Sequence, residues 1–175
     1  MSTFVNPTNI IAYAGLESGQ IVADLGCGGG YYSVAASKAV GDSGTVYAVD
    51  VMEDKLSAAQ SNAKHLGCKN ITVIKADLEK PLLDIAEGSC DMVVLASILH
   101  QIGSRDMLLK NAYRILKTGG KLLAVEWKKE ATPIGPPLEQ RISQAELESA
   151  LQSAGFRKAK DIPADSYHFA CLFIK

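Results

Sequence analysis

The chain has 175 residues, 47% of them hydrophobic and 21% charged, with a formal net charge of −1. Such a length suits one domain over residues 1–175, with enough core to fold without disulfide staples, and the composition excludes a disordered protein. The balanced charge argues against a protein built to grip nucleic acid or an anionic membrane, and no stretch approaches the roughly 20 apolar residues that span a bilayer.

Residues 1–20 read as a short N-terminal arm. Ile21-Val-Ala-Asp-Leu then reads as a first strand, followed by a helix carrying Tyr32, Ala35, Ala36 and Ala39 on one face. Thr45-Val-Tyr-Ala-Val is a second strand. Met52, Leu56, Ala59, Ala63 and Leu66 recur at helical spacing after it. Ile71-Thr-Val-Ile and Asp91-Met-Val-Val-Leu-Ala supply strands three and four. A helix marked by Leu108, Ala112, Ile115 and Leu116 is expected to stop at Thr118-Gly119-Gly120 and lead into strand five, Lys121 to Glu126. Continuous apolar runs, rather than strict alternation, mark strands covered on both faces. Strand–helix alternation of this kind means a parallel α/β sheet with right-handed crossovers.

Residues 128–142 hold three of the six prolines and are expected to be irregular, forming a mobile flap over the site. Ser143-Gln-Ala-Glu146 offers a capping box for a helix with Leu147, Ala150, Leu151 and Ala154 inward and Gly155 at its end. Arg157 to Asp161 and His168 to Ile174 close the chain as two strands. Cys27, Cys68, Cys90 and Cys171 form no C-x-x-C pair and no cluster with histidine. Free thiols in a reducing cytoplasm are the expectation, since the first residues also lack the pattern of a secretory signal.

The chemistry concentrates in Asp24-Leu-Gly26-Cys27-Gly28-Gly-Gly30, between the first strand and first helix. Glycines there permit positive φ and close approach of a ligand to the backbone. A dinucleotide fingerprint would read G-x-G-x-x-G, but Tyr31 stands where its last glycine belongs. Asp24 would repel a pyrophosphate and attract an ammonium group. Asp50, at the end of strand two, is placed to accept the hydroxyls of a ribose. Asp77 follows strand three on the same carboxyl edge. One acid for an amine, one for a ribose and one for an adenine describe S-adenosylmethionine.

These motifs resemble the class I S-adenosylmethionine-dependent methyltransferases over about residues 5 to 174. Val22 to Gly30 matches the glycine motif, Val46 to Asp50 the ribose strand, and Ala76-Asp77-Leu78 the adenine turn. Glu87 to Asp91 resembles the acidic turn before strand four. Arg114 to Gly120 resembles the RxLKPGG lead-in to strand five, with Thr118 at the proline. Within the class, the chain is similar to the ubiquinone and menaquinone C-methyltransferases and their small relatives. The resemblance implies a Rossmann-like, doubly wound α/β fold: a seven-stranded sheet, mostly parallel, with an antiparallel last strand and helices on both faces. It implies Asp24 and Gly26 at the methionyl end, with Cys27, Gly28 and Gly30 in the same loop. It places Asp50 at the ribose, Val51 and Met52 flanking the adenine, Asp77 with the Leu78 amide on its edge, and the Ala96 carbonyl near the methionyl amine.

Methyl transfer from a sulfonium needs proximity, alignment and a dry site, and no metal is expected. His100, just past strand four, is the candidate general base, while His65 and His168 read as structural. The short arm (Phe4, Asn6, Tyr13), the loop after His100 and the segment after Glu126 are expected to meet the acceptor. Three functions stay open: methyl transfer to a small molecule, methyl transfer to a protein or RNA, and cofactor binding without catalysis. The second rests on a flat, open site that suits a large partner and on a cluster of Lys110, Lys117, Lys121, Lys128 and Lys129. A homodimer that completes the pocket also stays open.

Overall fold

The computed structural model describes residues 5–175, so Phe4 lies outside the described residues. In chain order the elements are α1 (Pro7–Ala14), β1 (Ile21–Leu25), α2 (Tyr31–Val40), β2 (Thr45–Asp50), α3 (Glu53–His65), β3 (Ile71–Lys75) and β4 (Cys90–Ala96). There follow α4 (Arg105–Ile115), β5 (Leu116–Trp127), a short 3-10 turn (Leu138–Gln140), α5 (Gln144–Ser153), β6 (Arg157–Ile162) and β7 (His168–Ile174). The seven strands form one sheet in the order β3-β2-β1-β4-β5-β7-β6. Only β7 runs against its neighbours, pairing antiparallel with both β5 and β6. That is the expected doubly wound sheet with an antiparallel last strand.

The apolar runs of β1 and β4 are buried because both faces are covered. Ala23, Leu25, Val93, Leu95 and Leu122 point to α4 and α5. Val22, Val94, Leu123 and Val125 point to the face where α1 and α2 lie. Chain order advances from β1 to β3 on one side, then returns beyond β1 for β4. The carboxyl ends of β1 and β4 therefore flank a switch point, where open sheets of this type bind ligands. Among the described residues, no helix is long and apolar enough to cross a membrane. Cys27, Cys90 and Cys171 are buried free thiols, and Cys68 is a half-buried one.

Three local expectations are corrected. The arm contains a helix, α1, started by Asn6, whose Oδ1 accepts the Thr8 and Asn9 amides, and closed by Gly15 at φ +69°. It buries Ile10, Ile11 and Ala14 against the sheet. Leu116 does not continue α4: its amide still closes onto the Ala112 carbonyl, but its backbone is extended and pairs with Cys90. The Thr118-Gly119-Gly120 bend consequently lies within β5, where the Gly119 amide donates to the Lys175 carbonyl at 3.1 Å. Met52 and Leu66, expected on the inner face of α3, flank that helix and are about half exposed; Leu56, Ala59 and Ala63 supply its buried face. The capping box at Ser143 and Glu146 forms as expected.

Candidate functional site

The loop after β1 is tied down by its own backbone. The Gly26 and Cys27 amides both donate to the Val49 carbonyl, at 2.8 and 2.9 Å, and the Gly30 amide donates to Cys27. The Gly28 amide donates to Asp50 Oδ2 at 3.0 Å. Four of the five amides from Gly26 to Gly30 are thus spent inside the protein, so the loop is no nest for a phosphate. Gly26 sits at φ +79°, and a Cβ there would lie 2.7 Å from Ile98. Gly30 sits at φ +76°, and its Cβ would lie 2.8 Å from that of Ala59, so glycine lets α2 start hard against α3.

A cavity of about 970 Å³ opens over this loop and the carboxyl ends of β1, β2 and β4. It is lined by Asp24, Gly26, Cys27, Gly28, Asp50, Val51, Met52, Asp77, Leu78 and Ala96, which the sequence placed together, while Gly30 lies behind the loop. Asp24 is 1% exposed. Burial pushes its pKa from 3.8 up to about 6, opposed by hydrogen bonds from Ser33 and reinforced by the Asp50 charge. The Ser33 hydroxyl donates to Asp24 Oδ2 at 2.5 Å. Asp24 is therefore a buried carboxylate at the cavity wall with a neutral partner and no cation among the described residues. Asp50 holds the loop, since its Oδ1 also accepts the Met52 amide at 3.0 Å. Asp77 is more exposed, and the Glu79 amide and Lys80 hold its carboxyl below the usual range. Burial and the two acids push the Cys27 thiol well up, so it stays protonated.

His100 lies elsewhere. Its Nδ1 meets Glu126 Oε2 at 2.9 Å with both side chains buried, and it is not among the cavity-lining residues. Glu126 Oε1 accepts the Leu99 amide at 2.7 Å, so this acid ties the turn after β4 to the end of β5. Glu126→Ala is expected to cost about 2–4 kcal/mol in a urea melt, because it strands a buried amide and a buried imidazole. Ser97, at the same turn, is the one non-glycine residue with positive φ among the described residues, at +55°. It lines the cavity beside Ile98.

The segment 128–142 is pinned rather than loose. Arg141, 5% exposed, donates to the carbonyls of Lys128 (3.0 Å), Glu130 (2.8 Å), Ile134 (3.1 Å) and Pro136 (2.8 Å). Its guanidinium also stands 5.5 Å over the Trp127 ring. None of these residues lines the cavity. Of the arm, Val5 and Pro7 reach the cavity, whereas Asn6 caps α1 and Tyr13 is half exposed. The five lysines are spread over several elements: Lys110 lies on α4, Lys117 and Lys121 in the first half of β5, and Lys128 and Lys129 after its end. Lys117 pairs with Asp91 at 2.6 Å, Lys129 with Glu146 at 3.1 Å, and Lys121 donates to the Gly15 carbonyl at 2.9 Å.

Sequence reasoning missed Ser33, Tyr32 and Asn111. The first two sit in the first turn of α2, where only their proximity to Asp24 gives a signal. Buried Asn111 on α4 accepts the Leu82 amide at 2.9 Å and donates to the Leu78 and Lys80 carbonyls. It thereby holds the turn that carries Asp77 and Leu78, and nothing in its local sequence announces that.

The profile of the family described as Methyltransferase domain matches residues 16–163. The ubiquinone/menaquinone biosynthesis C-methyltransferase of Haemophilus ducreyi is 35% identical over 128 residues, which are 73% of this chain and 48% of that protein. Its Escherichia coli counterpart is 30% identical over 163 residues, 93% of this chain and 62% of that protein. The chain thus spans about half to three-fifths of the length of these curated relatives. The crystal structure of a SAM-dependent methyltransferase from Aquifex aeolicus superposes with a TM-score of 0.91 at 30% identity, covering 99% of this chain and 92% of that one.

Proposed function

The chain belongs to the methyltransferase-domain family, and on that premise we propose that its cavity binds S-adenosylmethionine and presents the methyl group to a small-molecule acceptor. The observation that carries this reading is Asp24, a buried carboxylate with no cation partner among the described residues, beside a loop in which four of five amides are already used. A pyrophosphate would find neither donors nor a welcoming field there. An ammonium group would find its counter-ion.

In this reading Asp24 holds the methionyl ammonium, with the Ala96 carbonyl as a second acceptor. Asp50, already fixed by the Gly28 and Met52 amides, keeps lone pairs for the ribose hydroxyls. Val51 and Met52 flank the adenine, and Asp77 with Leu78 reads its edge. Gly26 and Gly28 let the ligand lie on the backbone. When bound, S-adenosylmethionine supplies a methyl group activated by the sulfonium, so the chain contributes alignment and exclusion of water. Ile98 and Ile102 give the cavity an apolar wall suited to an acceptor of low polarity, and the curated relatives are named for ubiquinone/menaquinone biosynthesis. His100 pairs with Glu126, which holds the turn after β4, and in this reading His100 carries out no proton transfer. Free thiols suit a reducing cytoplasm as the place of work.

Calorimetry tests this directly. The wild type is expected to bind S-adenosylmethionine and not NAD, and Asp50→Ala to weaken the former roughly a hundredfold through lost charge-assisted hydrogen bonds. A wild-type protein that ignores S-adenosylmethionine would end the proposal.

A further inference from the structure

Tyr32 lines the cavity from the first turn of α2, one residue before the serine that donates to Asp24. Its hydroxyl is buried and has no hydrogen-bond partner among the described residues, the one side-chain polar atom there in that position. Buried polar groups are almost always satisfied, so an orphan on a cavity wall asks for an occupant. Burial and the charges of Asp24 and Asp165 push its pKa far up, so the phenol is a donor and not a base.

The amino-acid end of S-adenosylmethionine carries its ammonium and carboxylate on one carbon. If the ammonium sits on Asp24, the carboxylate must lie close by, in a region crowded with acids. It needs a donor, and the loop has few left, because the amides of Gly26, Cys27, Gly28 and Gly30 are engaged. The Ser33 hydroxyl is spent on Asp24. Lys55, the one basic residue among the described lining residues, stands on α3, the helix that follows β2, and Asp24 ends β1. Beside the unspent Gly29 amide, the Tyr32 hydroxyl is the buried side-chain donor on this wall that has no partner among the described residues. Resting on the reading of the cavity given above, we infer that Tyr32 donates a hydrogen bond to the α-carboxylate of the methyl donor and so selects ligands with an intact amino-acid end.

The test uses two ligands in calorimetry, S-adenosylhomocysteine and its decarboxylated analogue. Tyr32→Phe removes an unsatisfied group without changing shape, so it should fold at least as well as the wild type. It is expected to bind S-adenosylhomocysteine about tenfold more weakly and the decarboxylated analogue with wild-type affinity, the size of one hydrogen bond to a charged group. Unchanged affinity for S-adenosylhomocysteine overturns the inference. An equal loss for both ligands overturns it too, because the hydroxyl then does not read the carboxylate. A wild type that binds neither ligand removes the reading of the cavity itself, and this contact with it.

Discussion

The Asp24→Asn variant is expected to bind S-adenosylmethionine about a hundredfold more weakly, while its ligand-free form melts higher than the wild type at pH 8. Removing one partner of a buried charge pair costs about 2–5 kcal/mol of binding, which sets the first effect. The second follows from linkage. The folded-state pKa of Asp24 is raised, to about 6 from 3.8, so the native state holds this proton more tightly than the unfolded chain. Its contribution to stability is therefore greatest in acid and declines as pH rises from about 4 to about 6. Between pH 5 and 8 the wild type should lose about 1.4 kcal/mol that Asp24→Asn does not, or roughly 3–6 °C of melting temperature for a chain of this size. Affinity moves the opposite way. Binding of a cation requires the ionised carboxylate, so wild-type affinity should hold from pH 8 to about 6 and then fall near tenfold per pH unit. Differential scanning fluorimetry and calorimetry over one pH series read both effects. A ligand-free wild type whose pH dependence matches that of Asp24→Asn would refute the account. Together the two results would mean that the folded protein carries a buried charge at a cost to stability and recovers that cost on binding its ligand.

Arg141→Ala should lower stability by about 3 kcal/mol or more, because it strands carbonyls that one buried guanidinium now satisfies. Arg141→Lys should restore little, since a single ammonium cannot span the fork that reaches Lys128, Glu130, Ile134 and Pro136. Hydrogen exchange is expected to show residues 128–142 protected in the wild type and open in both variants. Strong exchange of this segment in the wild type would instead match the mobile flap that its prolines suggested.

The strands, the helices from α2 onward and their order were legible because each depends on spacing within a dozen residues. Continuous apolar runs produced β1, β4 and most of β5. Ser143 and Glu146 capped α5 where their spacing said they would. That three acids line one cavity was legible for a related reason: in a doubly wound sheet every parallel strand ends on the same edge, so Asp24, Asp50 and Asp77 converge once the strands are known. The extent of β5 was not legible, since the pairing of Leu116 with Cys90 outweighs the helix-ending look of Gly119 and Gly120.

What the sequence determined by itself was the sheet, its handed connections and three acids around a glycine turn. The tertiary structure alone decided that His100 meets Glu126, that Arg141 pins the proline segment, that Asn111 props the turn at Leu78, and that Tyr32 faces the cavity unpaired. Each of the first three joins residues from different elements, and the last is a statement about every neighbour at once. Such partners are chosen by packing, where burial makes an unmet donor or acceptor costly, and no local pattern encodes which distant group will meet it.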